Sequence, residues 1–230
     1  MSTFLITGAN RGLGLEMTRQ ASAKGHHVIA ATRRAADAPE LSALAAASGG
    51  KVEIVPLEVT DADSVAALAK TLAGRPIDVL VNNAGVRIPD CSPLDISFDD
   101  VERALEINTI APLRVTKALV PNLAAAKSGA KVFTISSLLG SFHVMRTEEL
   151  AYCVSKSAVN RAMLLMSPAL KEKNIAVGLL SPGWVRTDMG GAAAPLSPQE
   201  SVAGLLAQIE RFTLADTGTF VNYAGEKQAW

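Results

Sequence analysis

The sequence is poor in cysteine, has few aromatic residues and carries no net charge. Its 230 residues include only Cys91 and Cys153, which show no metal-ligand spacing, and such sparse cysteine is typical of the reducing cytoplasm. Lys plus Arg and Asp plus Glu each number 22, so no net field attracts nucleic acid or an anionic membrane. No apolar run approaches the roughly 20 residues of a membrane span, and no signal peptide is evident. We therefore expect a small-molecule partner and no metal.

Short β-branched segments alternate with longer Ala- and Leu-rich segments as far as Tyr223. This alternation predicts βαβ units in one α/β domain over residues 1–230, with about seven strands, mostly or wholly parallel, and helices on both faces. Strands are expected at Thr3–Thr7, His27–Thr32, Val52–Leu57, Val79–Asn82, Lys131–Ser136, Ala176–Ser181 and Thr219–Asn222. Helices are expected at Gly12–Lys24, Pro39–Ala47, Asp61–Leu72, Phe98–Ala126, Leu150–Glu172 and Pro198–Thr213.

A glycine-rich turn joins the first predicted strand to the first helix. It reads Thr7-Gly8-Ala9-Asn10-Arg11-Gly12-Leu13-Gly14, with the glycines spaced G-x-x-x-G-x-G. Glycine permits a tight turn and a close approach of the backbone to a ligand, while the helix N-terminus favours negative charge. The turn therefore predicts a cradle for the pyrophosphate of a dinucleotide.

The end of the second predicted strand indicates which dinucleotide is preferred. An NAD-binding protein would place an acidic residue there against the ribose 2′-hydroxyl, whereas this chain has Thr32-Arg33-Arg34. Arg33 can bind a 2′-phosphate through charge-assisted hydrogen bonds, and Arg11 is placed to help. We expect NADP(H) to be preferred, with NAD(H) as the alternative.

Three further motifs with polar or turn-forming residues lie at the ends of predicted strands. Asn82-Asn83-Ala84-Gly85, Ser136-Ser137 and Pro182-Gly183 each follow a predicted strand. They therefore belong to the carboxyl edge, where open α/β sheets bind ligands.

Within the long predicted helix, Pro112 follows Asn108 by four residues. Because proline has no N–H group, it should disturb this helix and free the Asn108 carbonyl to hold a water molecule.

Tyr152 and Lys156 lie four residues apart on a predicted helix and therefore share one face. A free tyrosine ionises near pH ~10 and transfers protons poorly at neutral pH unless a positive charge stabilises its phenolate. Lys156 can provide that charge. The pair is a candidate acid–base centre.

These motifs, in this order and spacing, resemble the classical short-chain dehydrogenase/reductase family over nearly the whole chain. The matching residues are Thr7-Gly8-(x)3-Gly12-x-Gly14, Asn82-Asn83-Ala84-Gly85, Asn108, Ser136-Ser137, Tyr152-(x)3-Lys156 and Pro182-Gly183. The segment from Trp184 to Val202 is similar to the carbonyl-reductase-like subgroup that includes C-factor and sniffer. The resemblance implies a doubly wound sheet of the Rossmann type. It also implies an NADPH-dependent oxidoreductase that reduces a small aldehyde or ketone.

The resemblance assigns roles to the matching positions. Tyr152 would give a proton to the substrate oxygen, and Ser137 would polarise the carbonyl, with Ser136 as the other candidate. Lys156 would bind the nicotinamide ribose and lower the pKa of Tyr152, and Asn108 would hold a relay water. The cofactor-binding set comprises Gly8, Asn10, Arg11, Gly12, Leu13, Gly14, Thr32, Arg33, Glu58, Val59, Asn82, Asn83, Ala84, Gly85, Tyr152, Lys156, Pro182, Gly183, Val185 and Thr187.

The chain departs from the family pattern near the substrate and the adenine. Ser137 precedes Tyr152 by 15 positions, about two more than usual, and Glu58-Val59 replaces the usual Asp-Val. The lid expected at residues 188–198 is short and built from Gly, Ala and Pro. The substrate pocket is expected to be apolar and lined by Leu138, Leu139, Phe142, His143, Val144, Met145, Trp184 and Met189. Arg87 and Arg146 leave an anionic substrate as an alternative.

Two other functions stay open, namely an NAD-linked alcohol dehydrogenase and a dinucleotide-binding regulatory or signalling protein of the C-factor type. The family resemblance further implies a homodimer or homotetramer, in which the helices predicted at Phe98–Ala126 and Leu150–Glu172 pack against their copies. Apolar spacing on the second helix is compatible with this packing.

Overall fold

One seven-stranded sheet forms the centre of the protein, which is represented by a computed structural model describing residues 1–89, 92–145 and 148–230. Cys91 and Arg146 lie outside these ranges. The strands are β1 Thr3–Thr7, β2 His27–Thr32, β3 Val52–Pro56, β4 Val79–Asn82, β5 Ala130–Ile135, β6 Ile175–Ser181 and β7 Thr219–Asn222. Their order is β3-β2-β1-β4-β5-β6-β7, and every neighbouring pair is parallel. The predicted fold class is confirmed.

Seven α-helices connect these strands along the described ranges. They are α1 Gly12–Ala23, α2 Pro39–Ala47, α3 Ala62–Thr71, α4 Phe98–Leu105, α5 Ala111–Ala124, α6 Leu150–Lys171 and α7 Pro198–Arg211. Side chains of Asp61, Ser97 and Ser197 cap α3, α4 and α7, because each accepts a hydrogen bond from an otherwise unpaired N–H of the first turn. Within the described residues, no helix is both long and apolar enough to span a bilayer.

The single helix predicted over Phe98–Ala126 is instead two α-helices joined by a π-helical turn, Glu106–Ile110. The Ala111 N–H donates to the Glu106 carbonyl, one residue further back than in an α-helix. Pro112 cannot donate to Asn108 because it has no N–H group. The expected disturbance of the helix is confirmed, and Asn108 is buried within it.

Both faces of the sheet are buried, as expected of a parallel sheet covered by helices. Along β1, Leu5 belongs to one apolar cluster, and its neighbours Phe4 and Ile6 belong to the cluster on the opposite face. This alternation follows from the two-residue repeat of a strand. The fully covered sheet provides a rigid base for the loops at its carboxyl edge.

The last residues fold back along the outer strand β7. The Gln228 N–H donates to the Phe220 carbonyl at 2.8 Å, the Asn222 N–H donates to the Glu226 carbonyl at 2.9 Å, and Lys227 forms an antiparallel bridge with Val221. The Trp230 ring lies 5.8 Å from the Phe220 ring, centroid to centroid. The return segment therefore occupies the hydrogen-bonding edge of β7.

Candidate active site

The candidate site lies where the sheet order reverses, between β1 and β4. Strands β2 and β3 extend the sheet on one side of this point, and β5, β6 and β7 extend it on the other. The connections leaving neighbouring strands on the two sides diverge and leave a crevice at their carboxyl ends. The motifs that follow β1, β4, β5 and β6 are brought together at this edge.

The glycine-rich turn can be built only with glycine at its central positions. Gly8 and Gly12 have φ angles of +64° and +54°, in the left-handed region. A Cβ atom on Gly14 would lie 2.3 Å from the Gly8 carbonyl oxygen and 2.5 Å from Asn83 Nδ2. The α1 N-cap, Arg11, provides no capping side chain for the N–H groups of the first turn. This geometry fits a diphosphate, which would accept those N–H groups.

Residues after β4 hold the glycine-rich turn in place. Asn83 Nδ2 donates to the carbonyls of Thr7 and Gly8 at 2.9 and 3.2 Å, and Thr7 Oγ1 accepts from the N–H groups of Asn83 and Ala84, both at 3.0 Å. Asn82 instead donates inward to Thr116 at 3.0 Å, in the buried interior. The Asn83 side chain therefore supports the cradle, whereas the Asn82 side chain is bonded to α5.

The remaining predicted cofactor positions are distributed around this turn. Asn10 and Leu13 are half-buried within it, and Pro182 and Gly183 directly follow β6. Thr187 lies opposite the turn, because a Cβ on Gly12 would be 3.6 Å from its methyl group. Val185 is buried, and its backbone bridges to Leu196 at the far end of the lid.

Arg33 lies just beyond the end of β2 and is 77% exposed. Its Nη1 is 3.9 Å from Glu58 Oε2, on the segment after β3. Glu58 is itself fixed, because its other carboxylate oxygen accepts from the Thr60 hydroxyl at 2.8 Å and from the Thr60 N–H at 3.2 Å. Because Arg33 is exposed and only a 3.9 Å contact joins it to Glu58, its guanidinium can bind an anionic ligand beside the buried Thr32. The Val59 carbonyl accepts a hydrogen bond from Arg114.

Arg11 has a partner that the sequence did not reveal. Its guanidinium forms an ion pair with Asp188 at 2.8 Å, which joins the glycine-rich turn to the lid. Both side chains are largely exposed, so the pair adds about 1 kcal/mol or less to stability. The predicted help of Arg11 in binding the 2′-phosphate stays a prediction.

Tyr152 is buried in the first turns of α6, with 8% of its surface exposed. Burial raises its pKa to about 12; hydrogen bonding to Ser137 and the charge of Arg87 act in the opposite direction, while Glu149 and Cys153 add to the increase. Burial outweighs the lowering of this pKa that was expected, and the contribution of Lys156 stays a prediction. Tyr152 therefore holds its proton at neutral pH.

Lys156 is buried one helical turn beyond Tyr152. Its Nζ donates to the Ile135 carbonyl at the end of β5 at 2.8 Å and lies 5.6 Å from the centre of the Tyr152 ring. Burial lowers the pKa of Lys156 to about 8. A Cβ on Gly85 would be 3.7 Å from Nζ and 3.0 Å from Asn108 Oδ1, so these predicted residues are neighbours.

Asn108 connects the segment after β4 to α6. Its side chain exchanges two hydrogen bonds with the Val86 backbone, both at 2.8 Å, and donates to Ser155 Oγ at 2.9 Å. The side chain thus has a structural role. The predicted water relay would use the backbone carbonyl and stays a prediction.

The two serines after β5 have different environments. Ser136 is buried and donates to Asn160 Oδ1 at 2.5 Å, whereas Ser137 is half-buried and forms a hydrogen bond with Tyr152. The Leu139 N–H donates to Ser137 Oγ at 3.1 Å. Ser137 is therefore the serine that lies beside the phenol.

Glu149 is a further residue at the site that sequence reasoning missed. It forms an ion pair with Arg87, whose guanidinium also donates to the Met189 carbonyl in the lid. Because its guanidinium is engaged in this way, Arg87 is not a free cation for an anionic substrate. A carboxylate three residues before Tyr152 and a lone arginine after the Asn-Ala-Gly motif were the available signals in the sequence.

Apolar side chains surround this part of the carboxyl edge. Five of the residues predicted to line the pocket are between 42% and 89% exposed, namely Leu138, Phe142, Met145, Trp184 and Met189. Two residues that precede the lid bind its backbone. Trp184 Nε1 donates to the Gly190 carbonyl at 2.7 Å, and Arg186 donates to the carbonyls of Ala194 and Pro195 at 2.9 and 2.6 Å. The lid is also held by Arg11 and Arg87, through Asp188 and the Met189 carbonyl.

A parallel sheet with a glycine cradle at its switch point, beside a cluster of Ser137, Tyr152 and Lys156, is typical of oxidoreductases that use a dinucleotide. The family model described as short chain dehydrogenase matches residues 2–196, and the chain belongs to this family. It is an oxidoreductase of the short-chain type. The family and activity class expected from the sequence are confirmed.

Similar proteins extend this comparison. The chain is 39% identical to C-signal of Myxococcus xanthus over 168 residues, which cover 71% of this chain and 99% of that protein. It superposes on the NADPH-bound carbonyl reductase from chicken fatty liver with a TM-score of 0.93 and 33% identity, over 100% and 99% of the two chains. For the carbonyl reductase Sniffer of D. melanogaster, the TM-score is 0.94 and the identity 31%, over the whole of both chains.

Proposed function

We propose that this protein is an NADPH-dependent carbonyl reductase that reduces a small aldehyde or ketone. The observation that carries the proposal is the meeting of Ser137, Tyr152 and Lys156 beside the glycine cradle, at the switch point of the sheet. The similar carbonyl reductases, one of them with bound NADPH, support the same assignment.

The chain offers a complete set of groups for the cofactor. The glycine-rich turn and the start of α1 would hold the pyrophosphate, Arg33 would hold the 2′-phosphate, and Lys156 would hold the nicotinamide ribose. Bound NADPH supplies the hydride. Its preference over NADH rests on Arg33, which stands where NAD-binding proteins have a carboxylate.

Proton transfer is assigned to Tyr152. Its raised pKa keeps the phenol protonated at neutral pH, so that it can donate this proton to the substrate oxygen while the carbonyl carbon is reduced. Ser137 donates a hydrogen bond to the same oxygen and polarises the carbonyl. The Lys156 ammonium is close enough to stabilise the phenolate that remains.

A steady-state screen tests the proposed function. The wild-type protein is mixed with NADPH or NADH and with aldehydes, diketones, quinones and ring ketones, and nicotinamide absorbance is followed. We expect NADPH-dependent reduction within this panel. Tight NADPH binding without turnover of any compound would instead favour the regulatory function suggested by the similarity to C-signal, and NAD-linked oxidation of alcohols alone would favour a dehydrogenase.

The two serines give a matched comparison in the same assay. Ser137→Ala removes a donor to the reacting oxygen and should lower kcat by about a hundredfold. Ser136→Ala should leave kcat within about threefold, but should lower the free energy of unfolding by about 1–2 kcal/mol, because Asn160 loses a buried partner. Equal losses of kcat in the two variants would contradict the assignment of Ser137.

Cofactor preference is tested at Arg33. Arg33→Asp removes a charge-assisted contact and places a carboxylate against the 2′-phosphate, so the ratio of kcat/KM for NADPH to that for NADH should fall by about a hundredfold. Arg34→Asp is the matched control, because its guanidinium pairs with Asp37 on the neighbouring turn. An unchanged ratio in Arg33→Asp would remove the basis for the NADPH preference.

Three further predictions complete the proposal. The chain would act as one cofactor-binding domain with a lid at residues 188–198, would work in the cytoplasm and would form a homodimer or homotetramer. Light scattering measures the last of these directly.

A further inference from the structure

Arg87 and Glu149 form a bidentate ion pair next to the proposed proton donor. Arg87 Nε donates to Glu149 Oε2 at 2.7 Å, and Nη2 donates to Oε1. The Glu149 side chain is 6% exposed and that of Arg87 is 31% exposed. A bidentate contact of this kind fixes geometry as well as charge, because both groups are planar.

Glu149 also has an uncommon backbone conformation. Its φ and ψ angles are +68° and +39°, in the left-handed region that residues with a Cβ rarely adopt. Its carbonyl accepts the Cys153 N–H at 2.9 Å, so it lies at the point where α6 begins. The ion pair therefore stabilises a strained residue that sets the start of the helix carrying Tyr152.

The same guanidinium reaches the lid, because Arg87 Nη1 donates to the Met189 carbonyl at 3.1 Å. Arg87 itself follows Gly85 and Val86, which contact Lys156 and Asn108. One side chain thus connects the segment after β4, the start of α6 and the lid. These three segments border the place where a substrate would meet Tyr152.

The two charges have opposite effects on Tyr152. The groups that shift the pKa of its phenol are Ser137 and Cys153, Arg87 from the segment after β4, and Glu149 before α6. The Lys156 ammonium, on α6 itself, lies 5.6 Å from the centre of its ring. After burial and the Ser137 hydrogen bond, Arg87 lowers the pKa of Tyr152 and Glu149 raises it. The pair itself therefore brings no net charge to this side of the phenol.

We propose that the Arg87–Glu149 pair, which links the first turn of α6 to the lid, is a specificity element that balances the charge beside Tyr152 and selects uncharged carbonyl compounds over carboxylate-bearing ones. The specificity rests on the proposed reductase function. The charge balance at Tyr152 does not, and it can be measured without turnover.

Titration of the tyrosines tests the charge balance at Tyr152. The chain has two tyrosines, Tyr152 and Tyr223, so ring-labelled tyrosine gives two NMR signals, and Tyr152→Phe identifies them. Glu149→Gln should move the ionisation of Tyr152 to lower pH, because a carboxylate that raises its pKa is lost. The double variant Arg87→Gln/Glu149→Gln removes both charges and should return the ionisation to the wild-type position.

Substrate choice tests the specificity. An aromatic keto acid and its methyl ester are compared as a matched pair of substrates. In Glu149→Gln the Arg87 charge is unbalanced, and the acid-to-ester ratio of kcat/KM should rise about tenfold. The double variant should keep the wild-type ratio, as should Arg87→Lys, which preserves the charge.

The outcomes separate the two proposals. An unchanged Tyr152 titration in Glu149→Gln, or a double variant that does not restore it, would overturn the role of the pair. If Glu149→Gln does not fold, the double variant and Arg87→Lys still test the role of the pair, because the proposal requires Tyr152 to titrate as in the wild type in both variants. If the wild-type protein reduces no carbonyl compound, the reductase function fails, while the titration still tests the pair.

Discussion

The Tyr152→Phe variant will bind NADPH with wild-type affinity and will reduce carbonyl compounds about a thousandfold more slowly, the loss expected when a general acid is removed. The phenol is buried beside Ser137, and its raised pKa keeps the proton in place at neutral pH. Phenylalanine fills the same space without a proton to donate. NADPH affinity is measured by fluorescence titration, and kcat is measured with the best substrate from the carbonyl screen.

Tyr223→Phe is the matched control, because it removes the only other tyrosine hydroxyl of the chain. Its kcat should stay at the wild-type value. Retention of more than about a tenth of wild-type turnover by Tyr152→Phe would show that another group donates the proton. A parallel loss of NADPH affinity would show that the phenol mainly holds the cofactor.

Gly14→Ala should disable the cofactor cradle and destabilise the protein. The new Cβ would lie 2.3 Å from the Gly8 carbonyl oxygen and 2.5 Å from Asn83 Nδ2, and both belong to rigid, hydrogen-bonded segments. We expect the free energy of unfolding to fall by about 3 kcal/mol or more, as in severe overpacking. Displacement of the turn should weaken NADPH binding about a hundredfold.

Gly49→Ala is the comparison for this glycine. Gly49 has a φ of +62°, but a Cβ there meets no atom within 4 Å. We expect Gly49→Ala to lower the free energy of unfolding by only about 1 kcal/mol, because of left-handed backbone strain, and to leave the NADPH affinity unchanged. Chemical denaturation measures the free energy of unfolding of each variant, and fluorescence titration measures its NADPH affinity. Wild-type NADPH affinity in Gly14→Ala would rule out the turn as the cradle.

The fold could be predicted from the sequence because its local signals agree. Strand and helix ends were found within two residues wherever a capping side chain or glycine marks them, as at Ser197 and Gly12. The π-helical turn at Glu106–Ile110 could be predicted only as a disturbance of the helix. Pro112 indicates where the helical hydrogen bonds are interrupted, but it does not show which carbonyl accepts the Ala111 N–H.

The candidate site was less accessible to sequence reasoning. The positions of Ser137, Tyr152 and Lys156 followed from motif spacing, and the structure brings them together. The partners of Arg11 and Arg87 could not be predicted from the sequence. Asp188 and Glu149 are distant from them along the chain, and only folding brings each pair together. The direction of the Tyr152 pKa was also missed, since burial outweighs the neighbouring charges.

The return of the chain along β7 has a consequence for assembly. A second copy that extended the sheet across this edge would need the backbone groups of β7, but Gln228, Lys227 and Glu226 already use them. A continuous intermolecular sheet through β7 is thereby blocked. If the protein forms a homodimer, its subunits would have to meet through side chains rather than by strand addition at this edge.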